Sequence, residues 1–271
     1  MRRLRHLYTL KVPEKTLEIN VSHELLTSIR YRLNARRSYV YGFSMRQEAT
    51  AGLDVTINVP QFRIILGLQF KAPRSKKFIL YYFRIADKAR RGCSSLTYSD
   101  KIRHKCLNQH IAMLISAIAL KIAYRYDPPP IFYALPLIYD AQELETNATN
   151  LLDRTKFINI TAFPPMTFID CQTHEITINE RTGKTLVHST STEIKAINAK
   201  ELIEILRKLL EEHETIKKQK TIIIPIKELK KNLEEQILEK LPKEKQEYAE
   251  KTIDEILKTN YKFRIPIIVI P

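Results

Sequence analysis

Glycine is scarce, with five residues in a chain of 271. Phosphate-cradling loops need glycines at set spacings, and neither G-x-G-x-x-G nor G-x-x-x-x-G-K-[ST] occurs. That argues against a dinucleotide oxidoreductase and against a P-loop ATPase. Cysteine is rarer still: Cys93, Cys106 and Cys171 are too few and too scattered for a disulfide framework or a cysteine-based zinc site. The odd count fits a reducing interior. Long apolar runs are missing as well, since the longest, residues 111–119, falls far short of the ~20 residues that span a bilayer. The basic start Met1-Arg2-Arg3-Leu4-Arg5 is not followed by an apolar core of signal-peptide length. These absences read as a soluble, cytoplasmic protein without a membrane partner. Ser94-Ser95 lacks the glycines of a nucleophile elbow, and His104, His110, His174 and His188 show no metal-ligand spacing.

What is present is apolar material for a core, 44% of residues, together with an excess of positive charge, 45 Lys+Arg against 30 Asp+Glu. The excess is localised. Residues 71–105 carry eleven basic side chains against Asp87 and Asp100, whereas residues 200–262 carry fifteen against fourteen acids. A concentrated basic surface suits a polyanion, with phosphate contacts supplying affinity and steering. A solvated face on a basic protein is the plain alternative. The Ile-, Lys- and Glu-rich composition fits a thermophile.

Periodicity predicts helices over 22–36 and 44–51, then strands over 53–59 (LDVTINV), 62–70 (FRIILGLQF) and 78–85 (FILYYFRI), punctuated by Pro60 and Pro73. A long helix over 101–124 follows, apolar nearly all round in its second half, and then a buried strand over 131–137. The order helix, three strands, helix, strand predicts an α/β (α+β) fold with a central mixed sheet flanked by helices. Its three consecutive strands form a meander, and the fourth is added by a helical crossover. Short strands at 175–179 and 185–188 flank a hairpin turn at Arg181-Thr182-Gly183. Past residue 195 the style changes to helices at 199–218, 227–240 and 243–259, with strands at 221–226 and 263–270. The expected division is therefore a domain over 1–195 and a C-terminal helical α/β appendage over 196–271. Leucine and isoleucine stripes on those helices are ordinary core faces and offer a homodimer face.

One polar constellation stands out. Asp54 lies in the first predicted strand, Glu48 in the helix before it, and Gln69 and Lys71 close the second strand. Residues two apart on a strand share a face, so Gln69 and Lys71 project together, and Asp54 sits opposite them if the strands are antiparallel neighbours. Two carboxylates and an amide oxygen then offer the hard oxygen ligands that Mg²⁺ or Mn²⁺ prefers. Such an ion stabilises phosphoryl charge, and a lysine beside it orients water or offsets developing charge. Other [EQ]-x-K triplets, at Glu193-Ile194-Lys195 and Glu228-Leu229-Lys230, lack the apolar run Ile64-Ile65-Leu66-Gly67-Leu68 that precedes Gln69. Polar groups at the end of a buried strand need a reason, because leaving one unpaired costs roughly 1–3 kcal/mol. The competing reading is that Lys71 opens a solvent loop and Asp54 merely pairs with it.

Glu48…Asp54…Gln69-x-Lys71 on that frame resembles the PD-(D/E)XK nuclease superfamily, the restriction endonuclease-like fold. The resemblance covers roughly residues 20–140. It implies Asp54 as the first-strand metal ligand, Gln69 in the (D/E) position, Lys71 as the catalytic lysine and Glu48 as the helix acid. Leu53 stands where the motif has proline, and Gln69 removes one charge from the metal site. The implied activity is Mg²⁺- or Mn²⁺-dependent hydrolysis of phosphodiester bonds in DNA. A catalytically inactive nuclease-fold protein that binds nucleic acid or scaffolds a complex is the alternative that Gln69 favours. Expected nucleic-acid contacts are Arg74, Lys76, Lys77, Arg90, Arg91, Gln109 and His110. For His110 a core role is the competing reading.

Overall fold

The computed structural model describes residues 10–44, 48, 52–62, 64–85, 109–164, 174–213, 226–243, 246–247, 250 and 254. Pro13 leads into α1 (Glu14–Arg32), with Glu14 in its first turn and Arg30 and Arg32 in its last, the arrangement the helix dipole favours. Leu17, Val21, Leu25 and Ile29, four apart, line one fully buried face. The helix starts earlier than the expected residue 22 because its first turns are polar and hide the apolar spacing. It also stops before 36, where Asn34 takes φ 50° in the left-handed region that terminates helices.

In chain order the strands are β1 (Tyr39–Gly42), β2 (Val55–Val59), β3 (Ile64–Phe70), β4 (Ser75–Lys77), β5 (Leu80–Ile85), β6 (Ile131–Pro136), β7 (Thr155–Asn159), β8 (His174–Asn179), β9 (Lys184–Val187) and β10 (Thr192–Lys195). The helices after α1 are α2 (Gln109–Tyr124), α3 (Ala141–Thr146), α4 (Ala199–His213) and α5 (Ile226–Ile237). Among the described residues this makes an α+β protein with two sheets. One is mixed, in the order β1-β2-β3-β6-β7; the other is antiparallel, in the order β10-β9-β8-β5-β4.

The mixed sheet holds the antiparallel meander β1-β2-β3, and α2 carries the chain across to β6, which runs parallel to β3. Every position of β2, β3 and β6 is buried, as befits strands covered on both faces. α1 and α4 both pack against β3, and α2 packs against β6 and α5. Leu202, Leu206 and Leu209 of α4 share the core cluster with Leu17 and Leu25 of α1.

Two expectations are corrected. The third member of the meander is β1, a short edge strand, Tyr-Val-Tyr-Gly, in which only Val40 packs half-buried against the core, so no apolar run announces it. The expected strand at 78–85 exists as β5, but it pairs with β4 and β8 in the second sheet. Chain order alone does not say which sheet a strand joins. The hairpin turn at Arg181-Thr182-Gly183 forms between β8 and β9: Asn179 Oδ1 accepts from the N–H groups of Arg181 and Thr182, and Gly183 takes φ 69°. Residues 221–225 and 255–271, which include most of the two expected late strands, lie outside the described residues, and Ile226 opens α5 instead. Among the described residues no helix is long and apolar enough to cross a membrane.

The two sheets are tied by a polar network. Glu143 of α3 accepts from the Tyr81 hydroxyl at 2.9 Å, from the Tyr139 N–H and from Lys76 Nζ. Arg154 donates to the Tyr81 hydroxyl and to the Leu137 carbonyl, and pairs with Glu180. Burial pushes the Tyr81 phenol up to about 12. Burial opposes the Lys76 charge, but hydrogen bonds to Glu143 and Tyr81 outweigh it and hold the ammonium above the ordinary lysine range.

Candidate functional site

The site begins with a turn. Gly52 takes φ 70°, and a Cβ there would stand 2.6 Å from the Gln109 carbonyl oxygen and 2.8 Å from the Met113 nitrogen. Only glycine lets the start of α2 come this close to the chain entering β2. Asp54 follows at the mouth of β2. Its N–H donates to the Leu68 carbonyl and its own carbonyl accepts from the Phe43 N–H, so the ladder extends one residue beyond the strand.

That ladder sets the geometry. Val55 pairs with Leu68, so Asp54 faces Gln69, and Gln69 in turn stands in register with Tyr133 of β6. Gln69 Nε2 donates to Asp54 Oδ2 at 2.7 Å and to the Phe70 carbonyl at 3.2 Å, while the Phe70 N–H also donates to Asp54 Oδ2 at 2.7 Å. The amide orientation follows from chemistry: both neighbours of Nε2 are acceptors, so the amide oxygen cannot take its place. Oε1 is therefore turned away. It is buried with no hydrogen-bond partner, in a side chain only 1% exposed.

Lys71 is buried as well, 8% exposed, with its N–H donating to the Ala134 carbonyl. The competing picture of a solvent-loop lysine paired with Asp54 does not hold: its ion-pair partner is Glu14 of α1, 3.9 Å away. Glu14 also accepts from the Ala72 N–H at 3.1 Å, which fixes the start of α1 against the end of β3. Lys15 bonds Glu18 at 2.6 Å one turn on, and Glu18 is itself buried.

Glu48 stands in a helical turn, with its N–H donating to the Ser44 carbonyl and its carbonyl accepting from the Gly52 N–H. Burial pushes its carboxyl up, and Glu18 and Glu14 push in the same direction against Lys15 and Lys71. Asp54 is pushed up to about 7, chiefly by burial, against the pull of the Phe70 N–H and of Lys71. Three acids and two lysines thus share one neighbourhood with Asp54 and the orphaned amide oxygen. Among the described residues no three His, Cys, Asp or Glu side chains come together closely enough to hold a metal ion. A hard cation shared by these groups would need the Gln69 amide to flip, so that Oε1 replaces Nε2 beside Asp54 and the surrounding glutamates complete the oxygen set.

The structure therefore brings together Asp54, Gln69 and Lys71, with Glu48 close enough to feel the same charges. It adds Glu14 and Glu18, which sequence reasoning misses by starting the helix at residue 22. Their signal is present in the chain: two acids four apart, on one helix face, directly after Pro13.

The expected nucleic-acid contacts scatter. Arg74 and Lys77 are exposed, Lys77 over the Tyr82 ring at 5.8 Å, and Arg74 three residues past Lys71 in the chain. Lys76 is held by Glu143 and Tyr81 in the network between the sheets. Gln109 is half-buried at the start of α2, beside Gly52. His110 is fully buried: its Nδ1 lies 2.8 Å from the Tyr133 hydroxyl, its ring stacks on Tyr133 and meets Phe163 edge-on, and burial holds its pKa well below the ordinary histidine value. That is a core histidine with no surface for phosphate. Arg90 and Arg91 lie outside the described residues. Set beside known proteins, the chain matches no family model, no curated sequence and no solved structure.

Proposed function

We propose that this chain is a metal-dependent nuclease of the PD-(D/E)XK superfamily that hydrolyses phosphodiester bonds in DNA. The observation that carries the reading is the buried Gln69 amide bonded to Asp54 with its Oε1 unpartnered, and buried Lys71 just past the end of β3. The frame supports it: α1, the meander β1-β2-β3, a crossover through α2 and the parallel strand β6, with Asp54 entering β2 and Gln69-x-Lys71 leaving β3.

Asp54 and Gln69 Oε1 would hold Mg²⁺ or Mn²⁺, aided by carboxylates from Glu48, Glu14 and Glu18. A bound ion supplies charge neutralisation at the phosphoryl oxygens and a water of lowered pKa. Lys71 places a fixed positive charge where negative charge builds on the phosphorus centre, and its ammonium N–H groups orient the attacking water. The Phe70 N–H and Gln69 Nε2 both point at Asp54 Oδ2, which locks the carboxylate in one rotamer. That preorganisation is what a hydrolytic site needs.

The same pair of donors also favours the second reading. Gln69 Nε2 partly satisfies Asp54 without any cation, so a silent member of the fold that only binds nucleic acid is the rival account. The two part on one experiment, a Mg²⁺-dependent cleavage assay with labelled DNA. Wild type cuts, EDTA stops it, and Asp54→Ala and Lys71→Ala abolish cutting while circular dichroism and most DNA affinity stay. Variants that cut at the wild-type rate would refute the site assignment. A wild type that binds DNA but takes up no metal in calorimetry leaves the silent account standing.

A further inference from the structure

The segment from Leu25 to Gln47 contains no Asp or Glu but five arginines and three tyrosines. Its described part runs from the last turns of α1 into β1. Arg30 donates through Nε and Nη2 to the Ser38 carbonyl, which ties the last turn of α1 to the start of β1. Around that tie Tyr31 is 88% exposed, and Tyr39 and Tyr41 on β1 are each 41% exposed. Arg32, Arg36 and Arg37 are exposed too, and none of them makes an ion pair among the described residues. A single exposed ring is ordinary, but exposed aromatics gathered among unneutralised guanidinium groups mark a surface made for a partner.

Register places this surface relative to the acidic site. Tyr41 pairs with Thr56 and Tyr39 with Asn58, and Asp54 lies two residues before Thr56 on the same strand. The two tyrosines therefore project from the same face of the sheet as Asp54 and Gln69, one strand away at the open edge. Side chains two apart on a strand are separated by about 6.7 Å, room for one flat ring partner each. A base inside a duplex has both faces covered by its neighbours, so only an unpaired strand can offer such partners.

We propose that the last turn of α1 and the edge strand β1 seat an unpaired nucleic-acid strand, with Arg32, Arg36 and Arg37 on its phosphates and Tyr31, Tyr39 and Tyr41 stacked on its bases. This deepens the nuclease reading, on which it rests for the choice of a nucleic acid, by naming the form of the substrate.

The test is binding in EDTA, where nothing is cut, read by fluorescence anisotropy of a labelled oligothymidylate and of a duplex of equal length. Tyr39→Ala/Tyr41→Ala should weaken single-strand binding about tenfold or more and leave the duplex unchanged. The ring-preserving pair Tyr39→Phe/Tyr41→Phe should bind as wild type, and all variants should melt with the wild type. Arg32→Ala/Arg36→Ala/Arg37→Ala should flatten the dependence of log affinity on log salt by about 2. Binding that ignores these variants, or tyrosine variants that weaken duplex and single strand alike, overturns the inference. So does β1-edge self-association in sedimentation that the tyrosine variants abolish. A protein that binds single strands through this surface but never cuts them with Mg²⁺ overturns the nuclease reading alone. One that cuts while ignoring the surface overturns only the docking proposal.

Discussion

Gln69 Nε2 and Asp54 Oδ2 stand 2.7 Å apart across neighbouring antiparallel strands, and that bond turns the Gln69 amide oxygen into the interior with nothing to accept from. A buried acceptor without a donor is expensive, of order 1–3 kcal/mol. On the proposed reading a cation, which needs acceptors and not donors, would draw the amide round so that Oε1 and Asp54 face it together.

Restoring an acid at this position should strengthen metal binding and weaken the metal-free fold. Gln69→Glu places a second carboxylate against Asp54 and removes the Nε2 donor. The expected result is about tenfold tighter Mn²⁺ binding by calorimetry, because ligand charge sets affinity at oxygen sites. In EDTA the same variant should melt lower, by about 4 °C, and recover on adding metal. Unchanged metal affinity would place the cation elsewhere.

Burial pushes the Asp54 carboxyl up to about 7 from an ordinary 3.8. The folded protein therefore holds this proton more tightly than the unfolded chain does. Its contribution to stability is whole below about pH 4 and is lost as pH rises through about 7. Without metal, wild type should lose up to ~4 kcal/mol relative to Asp54→Asn over that window, since each tenfold gain in proton affinity is worth about 1.4 kcal/mol. Urea unfolding of both proteins in EDTA at low and neutral pH measures the difference. Parallel pH curves would mean that Asp54 is not the buried acid described.

Much of this arrangement is legible in the chain. The strands at 53–59 and 62–70 show themselves as apolar, β-branched runs split by Pro60, and the polar pair Gln69 and Lys71 at the end of such a run is what singles out the candidate site. β1 is hidden because an edge strand of four residues turns only Val40 toward the core, too little to write a pattern into its sequence. Glu14 and Glu18 escape for a related reason: α1 opens with polar turns, so the apolar spacing starts only at Leu17. β5 reads as a strand, but its sheet does not, since only its pairing with β4 and β8 reveals where it docks. Lys76 resembles a phosphate ligand in the sequence for the same reason, its partner Glu143 being far away along the chain.

His110 should prove structural. His110→Ala removes a ring packed on Tyr133 and Phe163 and leaves the Tyr133 hydroxyl without that partner. The expected cost is about 2–4 kcal/mol in urea unfolding, with DNA affinity unchanged. Loss of affinity with full stability would contradict the core role.

Glu143→Ala should loosen the join between the sheets. It removes the carboxylate that pairs with the Lys76 ammonium and accepts from the Tyr81 hydroxyl, and breaking a half-buried ion pair costs about 3 kcal/mol. Hydrogen exchange should speed in β4 and β5 more than in β2 and β3. Equal protection throughout would show that the network carries little of the contact.

The most direct measurement locates the cation. Crystals soaked in Mn²⁺ and measured near the manganese absorption edge should show the Gln69 amide flipped and an anomalous peak about 2.1 Å from both Gln69 Oε1 and an Asp54 carboxylate oxygen. A peak elsewhere, or none at saturating Mn²⁺, contradicts a metal site built on this pair.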